Sequence, residues 1–598
     1  MQLAAGQDAQ LAATLAALRA DPEVEFAEPD QRVKALAYAP SDPLFNGFFF
    51  YDRQFYRYQW YLRGGQPAAI RADVAWDITR GGTSAATSPV VVAVVDSGVR
   101  LNHPDLAGKL VPGFDFVSDP RASRDGDGWD PDPTDPGDFI TQQELQQPPF
   151  NSRDQECGGG TNHDEALPSS WHGTRVAGLI GATTDNGTGM AGTGFNLRVL
   201  PVRVLGKCGG LLSDVLAGMY WAAGFFASDG NLPIPAELLS DPGALKNHPN
   251  LHPAQIINMS LGSDGRCSRA YETTVREITS AGVLIVAAAG NDGGTVYQPA
   301  DCPGVLAVAG LRHAGTKVGF SNLGPAVGIA APAGNCGVST PDAPCLFALT
   351  TLTNLGATDP EQDDYSLPLS HPSFGTSFSA PLVTATAGLM KSVNPALTPA
   401  QLIARLKETA RPFPTTDELG TTEICVVPAE KPTQDLPCLC TTAVCGAGMV
   451  DAGSAVQAAL RPAVLISVVR SGKTYRLNGS LSAAATVDAR SITSYAWSVT
   501  GATGGSGIPV ITDPDQAVAS IPVPFAGEVT VQLVVTDSSG DSDSATATLT
   551  RFSSALEFPP PVEEVHRGGG SADAALLALL GILLLARLSQ RRGMAARN

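Results

Sequence analysis

The sequence predicts an α/β fold in which helices flank a parallel β-sheet, followed by a small all-β Ig-like sandwich and a C-terminal hydrophobic helix. Strands and helices alternate as far as about residue 460, and several strands are uninterrupted apolar runs, such as VVVAVVDSG from Val90 and VLIVAAAGN from Val283. Such runs are typical of a parallel sheet that is covered on both faces. From Ala463 to Arg551, polar and apolar residues alternate between turn signals, which indicates the sandwich. Residues from about 40 to 75 are rich in aromatic side chains and are expected to be irregular.

The composition excludes nucleic acid as a partner and favours an oxidising compartment. The 39 Lys and Arg residues are outnumbered by 58 Asp and Glu, so the net charge is −19. Binding of phosphates requires clustered basic residues, and only the extreme C-terminal tail has them. The ten cysteines form no pair of CxxC motifs, so disulfide bonds fit better than a zinc site. They are Cys157, Cys208, Cys267, Cys302, Cys336, Cys345, Cys425, Cys438, Cys440 and Cys445.

Three short segments carry side chains that together could perform nucleophilic catalysis. Asp96 ends the strand in VVDSG, His172 begins a helix in HGTRVAG, and Ser377 begins the apolar helix in GTSFSAP, where Pro381 is expected in the first turn. Strand ends and the helix starts that follow them share one edge of a parallel sheet. A serine nucleophile needs a histidine base and a carboxylate that orients this base. Asn291, after another buried strand, would supply the hydrogen bond to an oxyanion.

The order of these residues distinguishes between classes of serine hydrolase. An α/β-hydrolase has the order Ser, Asp, His, and a chymotrypsin-like enzyme has His, Asp, Ser. This chain has Asp96, His172, Ser377, and the only histidine after the serine is His566, so a lipase or esterase of the α/β-hydrolase type is excluded. The alternative is a catalytically inert scaffold on which the β-sandwich serves surface adhesion or binding, but the four intact positions favour an enzyme.

With these motifs in this order, residues from about 40 to 460 resemble the subtilisin-like serine proteases (subtilases). The matching segments are VVDSGV, HGTRVAG, AAAGN and GTSFSAP. The resemblance implies that Asp96 orients the base, that His172 is the general base and then acid, and that Ser377 is the nucleophile. Asn291 and the Ser377 backbone N–H would hold the oxyanion. Arg175 replaces the second histidine of the family's HGTHV, and GTSFS replaces GTSMA, and we expect activity to survive both changes.

The resemblance also implies where a substrate binds. Ser260, Leu261 and Gly262 would line the pocket for the P1 side chain, the residue before the scissile bond, and pair with the substrate backbone. Gly210 and Leu211 would lie near the second strand that pairs with substrate. The P1 pocket would also be lined by Ala288, Ala289 and Gly290, which predicts broad specificity with a bias towards large apolar P1 residues.

Structural Ca²⁺ is the expected cofactor, because two segments are rich in oxygen ligands. By the resemblance, one site would use the side chains of Asp42, Asp105 and Asn186 and the backbone carbonyls of Thr184, Thr188 and Met190. A second site would lie in DGDGWDPDPTDPGDF, where Asp132 and Asp135 accompany the candidate ligands Asp125, Asp127, Asp130 and Asp138. The alternatives are an ordinary glycine-rich loop and a solvated acidic loop.

Proximity in the sequence and the resemblance together suggest a set of disulfide bonds. The expected pairs are Cys157–Cys208, Cys267–Cys302 and Cys336–Cys345. The remaining four cysteines, Cys425, Cys438, Cys440 and Cys445, would pair among themselves.

Five segments are expected along the chain. Residues 1–38 resemble the C-terminal part of an inhibitory propeptide, which predicts a zymogen that cuts itself near residues 36–41. The protease domain would span 39–460 and a PKD-like or other Ig-like sandwich 463–552, followed by a linker at 553–567 and a tail at 568–598. No signal peptide begins the sequence, so we expect its start to be truncated.

The tail combines glycines, a short apolar run and a basic end. The uncharged run from Ala574 to Ala586 has 13 residues, fewer than the about 20 that span a bilayer. The pattern resembles the GlyGly-CTERM sorting signal of Gram-negative bacteria, which implies transient insertion in the inner membrane, cleavage by a rhombosortase near Gly568, Gly569 and Gly570, and type II secretion. The expected product is a monomeric serine endopeptidase that passes through the periplasm, is secreted or held at the cell surface, and hydrolyses extracellular proteins through an acyl-enzyme.

Overall fold

The structure, a computed structural model, describes residues 38–82, 89–148, 150, 166–225, 242–336, 345–417, 420–503, 508–522 and 527–550. Apart from Tyr38, the predicted propeptide lies outside these residues, and so do the predicted linker and the sorting tail with its glycines. Within the described ranges, no helix is both long enough and apolar enough to cross a membrane.

The aromatic segment near residue 50, expected to be irregular, forms regular structure instead. It contains an antiparallel hairpin between short helices, and the elements are α1 (Pro43–Asn46), β1 (Phe48–Tyr51), β2 (Gln54–Arg57) and α2 (Ala72–Trp76). Asp52 and Arg53 form the turn with φ of 41° and 65°, the left-handed conformation that a two-residue hairpin requires. The prediction was wrong because the continuous aromatic run shows no alternation and the turn contains no glycine.

The predicted parallel sheet is confirmed, with seven strands in the order β4-β5-β3-β6-β7-β8-β9. The strands are β3 (Val91–Asp96), β4 (Phe114–Asp115), β5 (Arg198–Arg203), β6 (Ile256–Met259), β7 (Leu284–Ala288), β8 (Val305–Leu311) and β9 (Val327–Pro332). Strands β3, β6, β7 and β9 are buried along their whole length. The apolar runs of the sequence therefore lie in a sheet that is covered on both faces.

Helices and a second strand pair surround this sheet. The helices are α3 (Pro120–Ser123), α4 (Gln142–Leu145), α5 (His172–Gly181), α6 (Leu212–Ala222), α7 (Pro242–Asn247), α8 (Arg269–Ser280), α9 (Thr376–Val393), α10 (Pro399–Glu408) and α11 (Ala452–Ala459). Short 3₁₀ turns lie at Pro104–Leu106 and Val487–Ala489. An antiparallel pair, β10 (Thr351–Asn354) and β11 (Asp363–Ser366), packs beside α5. Helix α9 contacts β6, β7, β8 and β9, so its first residue is held close to the carboxyl edge of the sheet.

The C-terminal strands form the predicted antiparallel sandwich. One sheet has the order β12-β13-β15 and the other β14-β16-β17. The strands are β12 (Ser467–Ser471), β13 (Thr474–Asn478), β14 (Ile492–Ala502), β15 (Val518–Pro522), β16 (Glu528–Asp537) and β17 (Ser542–Thr550). Alternate residues of β16 are buried, as the sequence pattern predicts. The sandwich contacts the α/β domain through an ion pair of 2.7 Å between Arg405 of α10 and Asp543 of β17.

The cysteines pair as neighbours along the chain. The disulfides are Cys267–Cys302, Cys336–Cys345, Cys425–Cys438 and Cys440–Cys445. The first two match the expected pairs, and the last two resolve the cysteine-rich segment whose pairing the sequence left open. Cys208 is also disulfide-bonded, and its expected partner Cys157 lies outside the described residues.

Candidate functional site

Asp96 and His172 meet at the carboxyl edge of the sheet. Asp96 is the last residue of β3 and is fully buried, and its Oδ1 accepts a hydrogen bond of 2.7 Å from Nδ1 of His172, the first residue of α5. The backbone N–H of Ser97 donates to the same oxygen at 2.8 Å. Gly173 makes this approach possible, because a Cβ there would overlap the carbonyl oxygen of Gly98. The helix therefore starts against the end of the strand.

Two opposing effects act on the imidazole of His172. Burial lowers its pKa, but the charge and hydrogen bond of Asp96 raise it, and the net result is a pKa above the ordinary value. The carboxylate also fixes the tautomer, because Nδ1 must carry the proton that it donates. The other ring nitrogen, Nε2, is then an acceptor when the ring is neutral.

Ser377 is the second residue of α9, and the residue after it contacts the histidine. The His172 ring is 5.6 Å from the ring of Phe378, the residue after the serine. The hydroxyl of Ser377 donates to the carbonyl oxygen of Ser260 at 3.2 Å, and the hydroxyl of Ser260 donates to the carbonyl oxygen of Ser377 at 2.6 Å. These reciprocal bonds join the start of α9 to the segment that follows β6.

Pro381 explains why the Ser377 carbonyl is available. The sequence suggested that this proline lies in the first helical turn, but α9 begins at Thr376, so Pro381 is its sixth residue. A proline has no N–H to donate to the carbonyl four residues earlier. That carbonyl belongs to Ser377, and it accepts the Ser260 hydroxyl instead.

A buried polar chain holds Ser260 in turn, and sequence reasoning missed it. Oγ1 of Thr384 in α9 donates to Oδ1 of Asn258 in β6 at 2.8 Å, and Nδ2 of Asn258 donates to the Ser260 hydroxyl at 2.9 Å. Both Asn258 and Thr384 are fully buried. The available signal was the single asparagine in the apolar run IINM, since buried polar side chains need hydrogen-bond partners.

Asn291 contacts Thr376, the residue before Ser377. Its Oδ1 accepts hydrogen bonds from the backbone N–H of Thr376 at 2.9 Å and from the Thr376 hydroxyl at 3.0 Å. The amide orientation therefore leaves Nδ2 as a donor. At Gly375, with φ of 136°, a Cβ would lie 3.6 Å from this Nδ2 and 3.8 Å from the backbone nitrogen of Ser377. The glycine therefore leaves open the space near these two nitrogen atoms, which a side chain would otherwise occupy.

A cleft of about 870 Å³ contains His172 in its wall. The predicted substrate-contacting residues line it, namely Gly210, Leu211, Ser260, Leu261 and Gly262. Tyr297 and Gln298 also line the cleft, although the sequence around them shows only a loop pattern. The two segments predicted to pair with substrate therefore face one space.

The other residues predicted for the P1 pocket lie deeper. Ala289 is fully buried and Ala288 nearly so, and Gly290 packs against the side chains of Asn322 and Tyr297. None of Ala288, Ala289 and Gly290 is among the described residues that line the cleft. They support its wall from behind, because Tyr297 donates a backbone hydrogen bond of 3.0 Å to the Ala289 carbonyl.

Asp42 and Asp105, the carboxylates of the first predicted calcium site, are fully buried. Both lie beneath the loop that carries the other predicted ligands, which are Thr184, Asn186, Thr188 and Met190. Asn186 Nδ2 donates to Asp105 at 2.8 Å, and the backbone N–H of Asp185 donates to Asp42 at 2.8 Å. Burial raises the pKa of both carboxyl groups, despite these hydrogen bonds. Two buried, neighbouring carboxylates with oxygen-bearing groups around them fit a hard divalent cation.

The acidic loop predicted to bind a second calcium ion is arranged differently. Asp125 pairs with Arg203, Asp138 accepts two hydrogen bonds from Ser170, and Asp127 is exposed. Asp130 pairs with Asp115 through backbone hydrogen bonds only. In the described part of the chain, no three carboxylates of this loop bring oxygen atoms within 4.8 Å of one another. An arginine and a serine thus supply partners for two of these carboxylates, Asp125 and Asp138, and the second site stays a prediction.

Two family models match this chain. The model of the Subtilase family matches residues 87–435, and a model of a PKD domain matches residues 466–550. The gap between the two matches contains α11, and the second match begins directly before β12, where the parallel sheet with its helices gives way to the sandwich.

Similar proteins include an extracellular protease of Xanthomonas campestris pv. campestris, 36% identical over 447 residues, which are 74% of this chain and 61% of that protein. An extracellular basic protease of Dichelobacter nodosus is 34% identical over 80% of this chain and 66% of its own length. The chain thus spans slightly less than two thirds of these relatives. A solved protease structure from Pseudoalteromonas arctica PAMC 21717 is 35% identical, with a TM-score of 0.53, over 70% of this chain and 99% of that one. With the parallel sheet, the family match and these relatives in agreement, this chain belongs to the subtilase family.

Proposed function

We propose that this protein is a secreted serine endopeptidase in which Asp96, His172 and Ser377 form the catalytic triad. The observation that carries the proposal is the hydrogen bond between His172 and the buried Asp96, together with the contact between His172 and Phe378, the residue after Ser377. A buried charge costs free energy of folding unless it is paired. A scaffold without catalytic function would therefore gain nothing from a carboxylate at the end of β3.

The reaction would begin when Oγ of Ser377 attacks the carbonyl carbon of the scissile peptide bond. Nε2 of His172 takes the hydroxyl proton, and Asp96 stabilises the imidazolium that forms. Nδ2 of Asn291 and the backbone N–H of Ser377 would donate to the oxyanion. The imidazolium then gives its proton to the leaving amine, which breaks the C–N bond and leaves an acyl-enzyme. Water, deprotonated by His172, hydrolyses this ester and restores Ser377.

The substrate would bind as an added strand between the two segments that line the cleft. Residues 260–262 and residues 210–211 both line the cleft. Backbone hydrogen bonds on both sides would hold a peptide whatever its side chains are. This arrangement favours broad specificity, with the P1 side chain entering the space beside Gly262, Tyr297 and Gln298.

The first prediction concerns the nucleophile. Replacing Ser377 by alanine should abolish casein hydrolysis and labelling by a fluorophosphonate probe, while Asn291→Ala should lower kcat by about 10²–10³-fold, the loss that removal of such a donor causes in subtilisin. Ser370→Ala, at an exposed serine on the loop before α9, is the matched control and should remain fully active. Persistent labelling of Ser377→Ala would refute the assignment and leave the adhesion alternative open.

The pKa of His172 predicts the acid limb of the pH profile. The base acts only when neutral, so kcat/KM should fall as the pH drops through the pKa of the free enzyme. Because Asp96 holds that pKa above its ordinary value of 6.5, the midpoint of this loss should lie above pH 6.5. The midpoint of the acid limb should be the same for two peptide substrates that carry no group titrating near this pH. A limb clearly below pH 6.5 would contradict the Asp96 effect.

We further propose that Asp42, Asp105 and Asn186, with carbonyl oxygens of the loop that contains Thr184, Thr188 and Met190, hold a structural Ca²⁺. The support is the pair of buried carboxylates whose pKa values are raised by burial. A bound dication would offset the cost of their negative charges and tie the segment before α1 to this loop. The subtilase family commonly includes proteins that bind structural calcium.

Removal of calcium should lower the melting temperature. A ligand present at 100 times its Kd stabilises the folded state by about 2.7 kcal/mol, so excess EGTA should shift the transition downwards by several degrees. The Asp105→Asn variant should lose most of this calcium-dependent increment. Asp127→Asn, in the acidic loop, is the control and should retain it. Equal melting curves with calcium and with EGTA would count against the site.

Export and maturation remain proposals that rest on the extracellular relatives and on the termini of the sequence. We propose that the propeptide segment inhibits the enzyme until it is cut near residues 36–41 and that a rhombosortase removes the tail near Gly568–Gly570 on the route through type II secretion. N-terminal sequencing and intact mass of the secreted protein should show both ends removed. A secreted form that begins at Met1, or that retains Arg592, would contradict the corresponding cut.

A further inference from the structure

Asp138 is a carboxylate in the wall of the substrate cleft, close to His172. Both residues line the cleft together with Ser170, which precedes the histidine by two positions. The backbone N–H of Ser170 donates to Oδ1 of Asp138 at 2.6 Å, and the Ser170 hydroxyl donates to Oδ2 at 2.7 Å. These two bonds hold the carboxylate in one orientation without neutralising its charge.

Among the described residues, no ion pair takes up this charge. Asp138 has no cationic side chain within 4 Å in that part of the chain. Lys207 is the only lysine or arginine among the described residues that line the cleft, and it pairs with Glu144. The charge of Asp138 acts on Arg175, on the same helix as His172, but the guanidinium donates its hydrogen bond to the hydroxyl of Ser373. The carboxylate therefore retains hydrogen-bonding capacity for a group from outside.

The geometry of a bound strand indicates which substrate residue reaches Asp138. In an extended peptide, successive side chains point to opposite sides. If the P1 side chain enters the space beside Gly262 and Tyr297, the P2 side chain, one residue earlier, points away from that space and towards other residues of the same cleft, whose lining includes His172 and Asp138. Lysine and arginine have long stems that place a charged group beyond the imidazole.

We propose that Asp138 is a specificity-determining residue that selects lysine or arginine at the P2 position of the substrate, an inference that rests on the proposed endopeptidase function. A cationic P2 side chain forms a charge-assisted hydrogen bond with the carboxylate oxygens of Asp138. A glutamate at P2 meets an uncompensated like charge and is rejected. The protein thus cleaves preferentially after dipeptides whose first residue is basic, with the second residue chosen by the P1 pocket.

The test begins with an unbiased substrate set. A denatured proteome is digested by the wild-type protein and by Asp138→Asn, and the cleavage sites are identified by mass spectrometry. The wild type should show lysine and arginine enriched at P2, and the variant should lose that enrichment. Asparagine keeps the size of the side chain and an oxygen that accepts from Ser170, so the replacement removes the charge with little change in shape.

Matched peptides then give the size of the effect. For two fluorogenic peptides that differ only in lysine or glutamine at P2, the ratio of kcat/KM values should be about 10- to 100-fold in the wild type, the range expected for a hydrogen bond to a charged group. The ratio should approach 1 in Asp138→Asn. Asp264→Asn, which removes a carboxylate beside Gly262 at another part of the cleft, is the control and should preserve the ratio. A ratio is insensitive to a general loss of folded or active enzyme.

The outcomes separate this inference from the function on which it rests. A wild type that cleaves the proteome with no basic preference at P2 overturns the role of Asp138, and so does a preference that survives in Asp138→Asn. A wild type that cleaves nothing overturns the proposed endopeptidase function itself.

Discussion

The hydrogen bond between Asp96 and His172 is the interaction on which the rest of the site depends. A buried carboxylate at the end of β3 is costly unless it has hydrogen-bond donors, and the imidazole and the Ser97 N–H both donate to its Oδ1. The bond requires α5 to start directly against the strand end, which Gly173 permits because it has no side chain to meet Gly98. The same contact sets the tautomer of His172 and raises its pKa, which are the two properties that the proposed general base needs.

Ser377 at the start of α9 is held by hydrogen bonds to Ser260, which follows β6. Pro381 removes the donor that the Ser377 carbonyl would have inside a regular helix, and the Ser260 hydroxyl replaces it. Asn258 and Thr384 continue this chain into the core. The Ser377 hydroxyl is therefore held by a segment that also lines the cleft, so in the proposed mechanism this one segment would both contact the substrate and position the nucleophile.

Several features could be predicted because each has a strong local signal. Buried parallel strands appear as unbroken apolar runs, and Asp96, His172, Asn291 and Ser377 sit in short motifs at strand ends and helix starts. Side chains that interact only because tertiary packing brings them together had no such signal in the sequence. The acidic loop suggested a metal site, yet Arg203 from β5, 78 residues after Asp125, neutralises part of it. The polar chain behind Ser260 likewise joins residues more than 100 positions apart.

The most direct test of the whole arrangement is a crystal structure of the mature protein with a peptidyl aldehyde. The account predicts a covalent bond between the aldehyde carbon and Oγ of Ser377, an oxygen within hydrogen-bond distance of Nδ2 of Asn291 and the Ser377 N–H, and the His172–Asp96 bond retained. The peptide should run as a strand between residues 210–211 and 260–262. An adduct whose oxygen points away from Asn291, or a peptide bound outside this cleft, would contradict the account.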